Sequence, residues 1–218
     1  MLNDIDKKIN LFFNLKKFEN ATPMCKIFNN NFSDKANHHN YTTLYSHIFE
    51  NLKFQKLNIF EVGLGTNDTT IPSNMGPNGV PGASLRSWKE FFVNSMIYGA
   101  DIDKACLFQE DRIKTFFVDQ TNKEIIKRLW NEICNTEFDM IIDDGLHEYH
   151  ANRILFENSI HKLKRGGIYI IEDIRMHEYD LFDKWFMELE KQSKFAYLKI
   201  CIIPGRDISD NIIAIIVK

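Results

Sequence analysis

The chain has 218 residues, of which 44% are hydrophobic and 26% are charged, and its formal net charge is −3. This length and composition are typical of one globular domain with a substantial buried core. The weakly negative charge excludes the broad basic surface that holds a nucleic-acid backbone, so no nucleic-acid partner is expected.

The sequence also argues against membrane insertion and disulfide bonding. The N-terminal stretch is charged and lacks the uninterrupted apolar core of a signal peptide. No apolar run approaches the ~20 residues that a membrane span needs. The four cysteines are scattered without a C-x-x-C pair, a pattern typical of reduced free thiols. We therefore expect a cytoplasmic protein without a membrane partner.

The pattern along the chain divides it into two parts. Residues 1–50 are predicted to form a helical N-terminal extension, and residues 51–218 are predicted to form the main domain. From Asn58 onward, short apolar runs alternate with amphipathic stretches, which is typical of an α/β fold. The predicted strands are 58–62, 96–100, 115–118, 138–142, 168–171, 197–203 and 212–217. The predicted helices are 84–92, 123–134, 151–164 and 179–192.

Strands that alternate with helices predict a Rossmann-like, doubly wound parallel sheet with helices on both faces. The last two strands are joined by only eight residues, too few for a helical crossover, so they must pair antiparallel. The prediction is a seven-stranded sheet that ends in an antiparallel hairpin. A plain dinucleotide-binding fold would not have this hairpin. The sequence also lacks a G-x-G-x-x-G motif, which argues against an NAD-dependent oxidoreductase.

A glycine-containing turn, E-V-G-L-G, lies at the end of the first predicted strand. In open α/β sheets ligands bind at this edge, and glycine lets a ligand approach the backbone closely. We therefore expect Glu61, Gly63 and Gly65 to lie at a cofactor site. The alternative interpretation is a tight turn without a ligand.

Polar residues follow the second and third predicted strands. Asp101 lies where a carboxylate accepts hydrogen bonds from both hydroxyls of a ribose, although a helix cap is the alternative role. Asp119 and Gln120 follow the third strand, where either side chain is placed to hydrogen-bond an adenine amino group. Capping is again the alternative.

Three carboxylates follow the fourth and fifth predicted strands. Asp144 comes after the fourth, and Glu172 and Asp173 come after the fifth. Adjacent parallel strands deliver them to the same edge of the sheet, where they repel unless positive charge lies between them. Oxygen ligands favour a hard cation such as Mg²⁺ over Zn²⁺. The sequence therefore predicts a metal site, with a solvated acidic rim as the alternative.

Two further features lie near these strand ends. His147 is three residues beyond Asp144, and histidine titrates near neutral pH, so it is a candidate general base for a hydroxyl held by the metal. A surface or capping histidine is the alternative. The loop 66–82 lengthens a connection that is normally short, which predicts either a lid over the ligand or a plain surface excursion.

In combination these segments resemble the class I S-adenosylmethionine-dependent methyltransferases. More narrowly, the chain resembles the metal-dependent sugar O-methyltransferases of the macrocin and mycinamicin type, whose fold and metal site the cephalosporin-hydroxylase-like proteins share. The resemblance covers roughly residues 34–218. It rests on D-K at 34–35 with H-H-N-Y-T at 38–42, G-A-S-L-R-S-W at 82–88, D-D-G-L-H at 143–147 and I-E-D at 171–173.

The resemblance implies methyl transfer from S-adenosylmethionine to a hydroxyl, with Mg²⁺ as the expected metal. It implies a place near the cofactor or the acceptor for residues 35–41. In the family a serine often precedes the histidine, whereas this chain has Leu146. The implied metal ligands are Asp144, Glu172 and Asp173, the implied base is His147, and the implied cofactor contacts are Glu61, Gly63, Asp101 and Asp119.

The resemblance also suggests an acceptor. The N-terminal part is shorter than in the antibiotic enzymes, which have an additional domain, so we expect a sugar of a surface polysaccharide or its nucleotide-linked precursor. Family members often form dimers or tetramers, so a homo-oligomer is expected. The alternative is a catalytically inactive S-adenosylmethionine-binding or scaffold protein of the same fold.

Overall fold

The computed structural model describes residues 4–16, 18–19, 21–206 and 209–218, which form seven α-helices and one eight-stranded sheet. None of these helices is long and apolar enough to cross a bilayer. The strands are β1 Asn58–Val62, β2 Met96–Asp101, β3 Gln109–Glu110, β4 Ile113–Phe117, β5 Phe138–Asp143, β6 Leu163–Ile171, β7 Tyr197–Ile202 and β8 Ile212–Val217. The helices are α1 Ile5–Leu15, α2 Pro23–Asn30, α3 Tyr41–Phe49, α4 Ala83–Phe91, α5 Lys123–Glu132, α6 Tyr149–Ser159 and α7 Tyr179–Lys191.

The strand order across the sheet is β3-β4-β2-β1-β5-β6-β8-β7. Strands β4, β2, β1, β5 and β6 are parallel, and β8 pairs antiparallel with both β6 and β7. The predicted doubly wound sheet with a terminal antiparallel hairpin is therefore confirmed. The sheet has eight strands rather than seven because the two-residue strand β3 pairs antiparallel with β4 at the edge.

The predicted helix 151–164 was wrong at its C-terminal end. Helix α6 ends at Ser159, a 3₁₀ turn follows, and β6 already begins at Leu163. Leu163 pairs with Phe138 at the start of β5, and the register then shifts before the next pairs form. The glycines that follow the lysines therefore lie in an irregular strand, where Gly166 has a φ of 74°.

Alternation along the strands divides the core into two layers. Ile59, Ile142 and Ile170 face a cluster that contains residues of α1 to α4, whereas their neighbours Phe60 and Ile141 face the layer of α5, α6 and α7. Successive side chains of a strand point to opposite faces, so this division follows from the backbone. Helices α1 to α3 therefore pack on the sheet itself, although the predicted boundary at residue 50 stays a prediction.

The segment before α3 is attached to the end of the sheet through a buried asparagine. Asn40 donates hydrogen bonds to the carbonyls of Phe18 and Pro204, at 3.0 and 2.8 Å. Its own carbonyl oxygen accepts a hydrogen bond from Asn211 at 2.8 Å. Asn40 and Asn211 are both buried, so water does not readily replace a partner that either side chain loses.

We expect Asn40→Ala to lower the free energy of unfolding by about 1–3 kcal/mol, because the buried amide of Asn211 loses its acceptor. Urea unfolding followed by circular dichroism measures this change. Asn158→Ala is the matched control, since Asn158 donates a single side-chain bond within α6, to Ile154. Equal losses in the two variants would show that Asn40 does not anchor this segment.

Candidate active site

A cavity of about 300 Å³ opens at the carboxyl edge of the sheet. Its walls come from the loops after β1, β2, β4, β5 and β6, and from the segment that precedes α3. Strand β1 pairs with both β2 and β5, so the glycine turn and the acidic strand ends meet at the switch point of the sheet. The cavity is lined by eight of the predicted site residues: Gly63, Gly65, Asp101, Asp119, Gln120, Asp144, His147 and Asp173.

The glycine turn has a backbone that other residues rarely adopt. Gly63 and Gly65 have φ values of 93° and 79°. A Cβ added to Gly63 would lie 1.8 Å from the carbonyl oxygen of Asp144, and one added to Gly65 would lie 2.1 Å from the Met75 side chain. Glycine at position 63 is therefore needed for the loops after β1 and β5 to approach each other.

The residues predicted to contact ribose and adenine both cap the backbone and line the cavity. Asp101 accepts hydrogen bonds from the amides of Leu64 and Asp103, at 2.7 and 2.8 Å. Asp119 accepts two hydrogen bonds from Thr121, in a local turn. The capping role is therefore present in the structure for both carboxylates. Both residues also line the cavity, and their contacts with a ligand stay a prediction.

Gln120 belongs to a network that the sequence analysis missed. Its amide nitrogen donates to Asp143 at 3.1 Å, and its carbonyl oxygen accepts from the amide of Leu146 at 2.8 Å. The buried Asp143 also accepts a hydrogen bond from Asn152 of α6 at 2.9 Å. Burial raises the pKa of Asp143 to about 6 although these donors act in the opposite direction. The network fixes the loop between Asp144 and His147.

Asp144, His147 and Asp173 converge on one point of the cavity wall. The Nε2 atom of His147 lies 3.1 Å from Oδ1 of Asp144 and 3.6 Å from Oδ2 of Asp173. One ligand atom from each of the three lies within 4.8 Å of the others. His147 and Asp173 have φ values of 58° and 52°, a left-handed backbone that is uncommon for residues other than glycine. The left-handed backbone at these two residues directs the side chains of His147 and Asp173 toward Asp144.

This group, which we call the Asp–His–Asp cluster, fits a divalent cation. Two carboxylates and an imidazole within reach of one point can serve as ligands, and the carboxylate oxygens favour a hard ion such as Mg²⁺ or Mn²⁺. The structure brings together the predicted residues Asp144, Asp173 and His147. Their roles as ligands and base stay predictions.

The two predicted glutamates face another direction. Glu172 accepts hydrogen bonds from Lys35 and, at 2.6 Å, from Tyr45, so its carboxylate is not part of the Asp–His–Asp cluster. Glu61 accepts hydrogen bonds from Ser84 and Trp88 of α4 and does not line the cavity. Internal donors therefore engage both carboxylates in the described structure. Contacts of Glu172 with a metal and of Glu61 with a cofactor stay predictions.

A buried lysine joins these acids. Lys35 donates hydrogen bonds to Asp144 and Glu172, and its Nζ lies 3.6 Å from Glu61. Burial lowers the pKa of Lys35, but the surrounding carboxylates outweigh burial and keep that pKa well above its ordinary value. Burial also raises the pKa of Asp144, but the charge of Lys35 and the hydrogen bond from His147 hold that pKa below its ordinary value.

Aromatic residues of α3 complete the surroundings of the acids. The hydroxyl of Tyr41 donates to Asp173 at 2.7 Å, and that of Tyr45 donates to Glu172. His39 stacks on Tyr41, and its Nε2 lies 3.4 Å from Asp173. Residues 35–41 were expected near the cofactor or acceptor, and they do lie beside the cavity. The sequence analysis missed Tyr45, which the spacing of four residues from Tyr41 places on the same helix face.

Comparisons with known proteins agree with this architecture. No family model matches the chain. A tetracenomycin-C rhamnosyl 2′-O-methyltransferase of Streptomyces olivaceus is 29% identical over 150 residues, which are 69% of this chain and 37% of that protein. Mycinamicin VI 2″-O-methyltransferase of Micromonospora griseorubida is 33% identical over 62% of this chain and 32% of its own length. The chain thus spans about a third of the length of the curated relatives that it matches.

Solved structures extend the similarity over most of the chain. The MycE methyltransferase of mycinamycin biosynthesis, solved with Mg and SAH, superposes with a TM-score of 0.71 at 24% identity, over 90% of this chain and 55% of MycE. This chain has the class I methyltransferase fold. A putative caffeoyl-CoA O-methyltransferase from Staphylococcus aureus superposes over 98% of both chains, with a TM-score of 0.56 and 13% identity.

In this methyltransferase fold the loop 66–82 forms one wall of the cavity. Its residues Ile71 to Met75 line the cavity. The Ser73 hydroxyl donates to the carbonyl of Leu146 at 2.8 Å, and Thr66 donates to Asp103. The loop is therefore attached at both ends of the cavity, which agrees better with a role at the site than with a plain surface excursion. Opening of the loop as a lid stays a prediction.

We expect Gly63→Ala to destabilise the fold by about 1–3 kcal/mol more than Gly76→Ala, which is the usual cost of inserting atoms into filled space. Both positions have positive φ, so both variants carry the left-handed penalty of about 1–2 kcal/mol. Only Gly63 also brings the new Cβ against backbone, because nothing lies within 4 Å at Gly76. Urea unfolding of the two variants measures the difference. Equal destabilisation would show that the close approach of the two loops is not required.

Stability should depend on the protonation of His147 in metal-free protein. Burial lowers its pKa, but the hydrogen bond to Asp144 and the nearby carboxylates outweigh burial and raise the pKa to about 9. A pKa raised on folding stabilises the folded state below the unfolded value of about 6.5, and this contribution is lost as pH rises through about 9.

We therefore expect the stability difference between wild type and His147→Gln to be larger at pH 6 than at pH 10. Urea unfolding in the presence of a chelator measures this difference at each pH. His150→Gln, at an exposed histidine, controls for the loss of an imidazole. A difference that does not change between pH 6 and pH 10 would contradict the raised pKa.

Proposed function

We propose that this chain is a metal-dependent O-methyltransferase that moves the methyl group of S-adenosylmethionine to a hydroxyl of a sugar. The observation that carries the proposal is the Asp–His–Asp cluster in the wall of a cavity that also contains the Gly63–Gly65 turn and Asp101. The fold and the similarity to curated sugar O-methyltransferases support it.

The cofactor would occupy the part of the cavity formed by the glycine turn and the ends of β2 and β4. Asp101 is placed there to accept hydrogen bonds from ribose hydroxyls, and Asp119 lies further along the same wall. Gly63 and Gly65 allow a ligand close to the backbone. MycE was solved with SAH, the demethylated form of the cofactor, which supports this assignment.

The reacting hydroxyl would lie beside the Asp–His–Asp cluster. Asp144 and Asp173 would hold Mg²⁺, which when bound makes a hydroxyl easier to deprotonate. The two carboxylates raise the pKa of His147 in the metal-free protein, and a bound cation would offset their charge. His147 would then be neutral and could accept the hydroxyl proton. The walls of the cavity would hold donor and acceptor in line, and such positioning can remove about 7–11 kcal/mol of the barrier.

The nature of the acceptor follows from the relatives only in part. The relatives are named for methylation of sugars on antibiotics, such as a rhamnosyl group and mycinamicin VI. We propose as acceptor a sugar of a surface polysaccharide or its nucleotide-linked precursor. The protein would act as a homo-oligomer without a nucleic-acid or membrane partner. A scaffold protein that binds the cofactor without turnover is the second candidate, because it would use the same cavity.

Calorimetric titration with S-adenosylhomocysteine tests the proposal first. We expect S-adenosylhomocysteine to bind both wild type and Asp144→Asn. The variant should bind Mg²⁺ at least about tenfold more weakly than wild type, because Asp144 is a proposed metal ligand. NAD is the control ligand and should not bind. No binding of S-adenosylhomocysteine to wild type would contradict the methyltransferase assignment.

Turnover separates the enzyme from the scaffold. Mass spectrometry should detect a gain of one methyl group on a nucleotide sugar, a polysaccharide fragment or a rhamnosyl glycoside. His147→Ala should lower kcat at least about 100-fold while S-adenosylhomocysteine affinity stays near wild type, since a general base typically contributes 10²–10⁴-fold. Equal losses of kcat and cofactor affinity would indicate a structural role for His147. Cofactor binding without methylation of any of these sugars would favour the scaffold.

A further inference from the structure

A single lysine ammonium lies among three carboxylates that come from three different strands. Lys35, in the 3₁₀ turn Asp34–Ala36, is 1% exposed. Its Nζ donates to Asp144 after β5 and to Glu172 after β6, and it lies 3.6 Å from Glu61 of β1. A buried carboxylate needs a positive charge, hydrogen-bond donors or a proton to be stable. Lys35 supplies the positive charge for all three.

Neutral donors also engage the oxygen atoms of the two glutamates. Glu61 accepts hydrogen bonds from Ser84 and Trp88, and Glu172 accepts one from Tyr45. These donors stabilise a carboxylate without changing the net charge of the group. Removing Lys35 would therefore leave buried acids with hydrogen bonds but without their ammonium partner.

Asp144 connects Lys35 to the Asp–His–Asp cluster. Its Oδ2 accepts from Lys35, whereas its Oδ1 lies 3.1 Å from His147. The two sides of one carboxylate thus face a fixed cation and the proposed position of an exchangeable cation. Two positive charges that share one carboxylate repel each other, so each lowers the affinity of the site for the other.

We propose that Lys35 is an internal counter-cation of the metal site. Its charge stabilises the buried carboxylates in the folded protein before the metal binds, and the same charge weakens the binding of the metal. This role rests on the proposed function of the Asp–His–Asp cluster as a metal site. Lys35 does not line the cavity, so it acts through Asp144 as a positioning residue.

Removal of this charge should tighten metal binding. Lys35→Met removes the ammonium at nearly constant length, and Lys35→Gln removes the charge but keeps a hydrogen-bond donor. We expect both variants to bind Mn²⁺ at least about tenfold more tightly than wild type in calorimetric titrations, because the repulsion is removed in both. Unchanged or weaker Mn²⁺ binding in both variants would overturn the proposal, since loss of packing alone does not tighten a metal site.

Thermal unfolding gives a second readout. Without metal, both variants should have a lower Tm than wild type, and saturating Mn²⁺ should raise their Tm by more than it raises that of wild type. Both variants are purified with Mn²⁺ present, because the ion should replace the missing charge. Failure of both to fold under these conditions would also overturn the proposal.

Lys164→Met is the matched control. Lys164 pairs with Asp139 at 2.8 Å, near the opposite end of β5 from Asp144. This variant loses a lysine–carboxylate pair, and its Mn²⁺ affinity should remain that of wild type. If Lys164→Met also bound Mn²⁺ tenfold more tightly, the gain in affinity would come from the lower net charge of the protein and not from loss of the Lys35 ammonium beside the site.

Titration of the wild type with S-adenosylhomocysteine distinguishes failure of this inference from failure of the proposed function. Cofactor binding by wild type without tighter Mn²⁺ binding in the Lys35 variants would reject the inference alone. Tighter Mn²⁺ binding in those variants without cofactor binding by wild type would reject the methyltransferase assignment and retain the counter-cation.

Discussion

Burial of carboxylates at one edge of a parallel sheet is the constraint on which this site depends. The strands end side by side, so the acids that follow them share a small volume. Different partners stabilise these acids: Asp101 accepts from backbone amides, Asp143 accepts from side-chain amides, and Asp144 contacts Lys35 and His147. Asp101, Asp144 and Asp173 still line the cavity, so their internal partners do not close them off from a ligand.

The N-terminal segment supplies much of this stabilisation. Lys35, Tyr41 and Tyr45 all reach the acids at the strand ends, and α1 to α3 belong to one of the two hydrophobic clusters that cover the sheet. A division of the chain at residue 50 would therefore separate the acids from their partners. The same residues that complete the core on this face also carry the polar groups of the site, so folding and site formation are coupled.

The sequence predicted the doubly wound parallel sheet, its terminal hairpin and the edge at which the site lies, because periodicity and connection lengths determine these features. It did not predict where Glu61 and Glu172 point, although strand alternation contains this information. Residues two apart in a strand point to the same face, so Glu61 follows Ile59 and Glu172 follows Ile170. Both isoleucines face the layer of α1 to α4. Lys35 could not be assigned as their partner, since that contact joins positions more than 100 residues apart in the case of Glu172.

The Asp–His–Asp cluster exists because two residues depart from regular backbone geometry. Asp173 follows Glu172 directly, and its φ of 52° brings its carboxylate near that of Asp144. His147 has a φ of 58°, in a loop fixed through Gln120 and Asp143. A left-handed backbone costs about 1–2 kcal/mol at each non-glycine residue, and it persists only where surrounding contacts determine it. Aspartate and histidine are among the non-glycine residues that adopt this backbone most often. These contacts, together with the hydrogen bond from Tyr41 to Asp173, therefore hold around one point three side chains that could bind a metal ion.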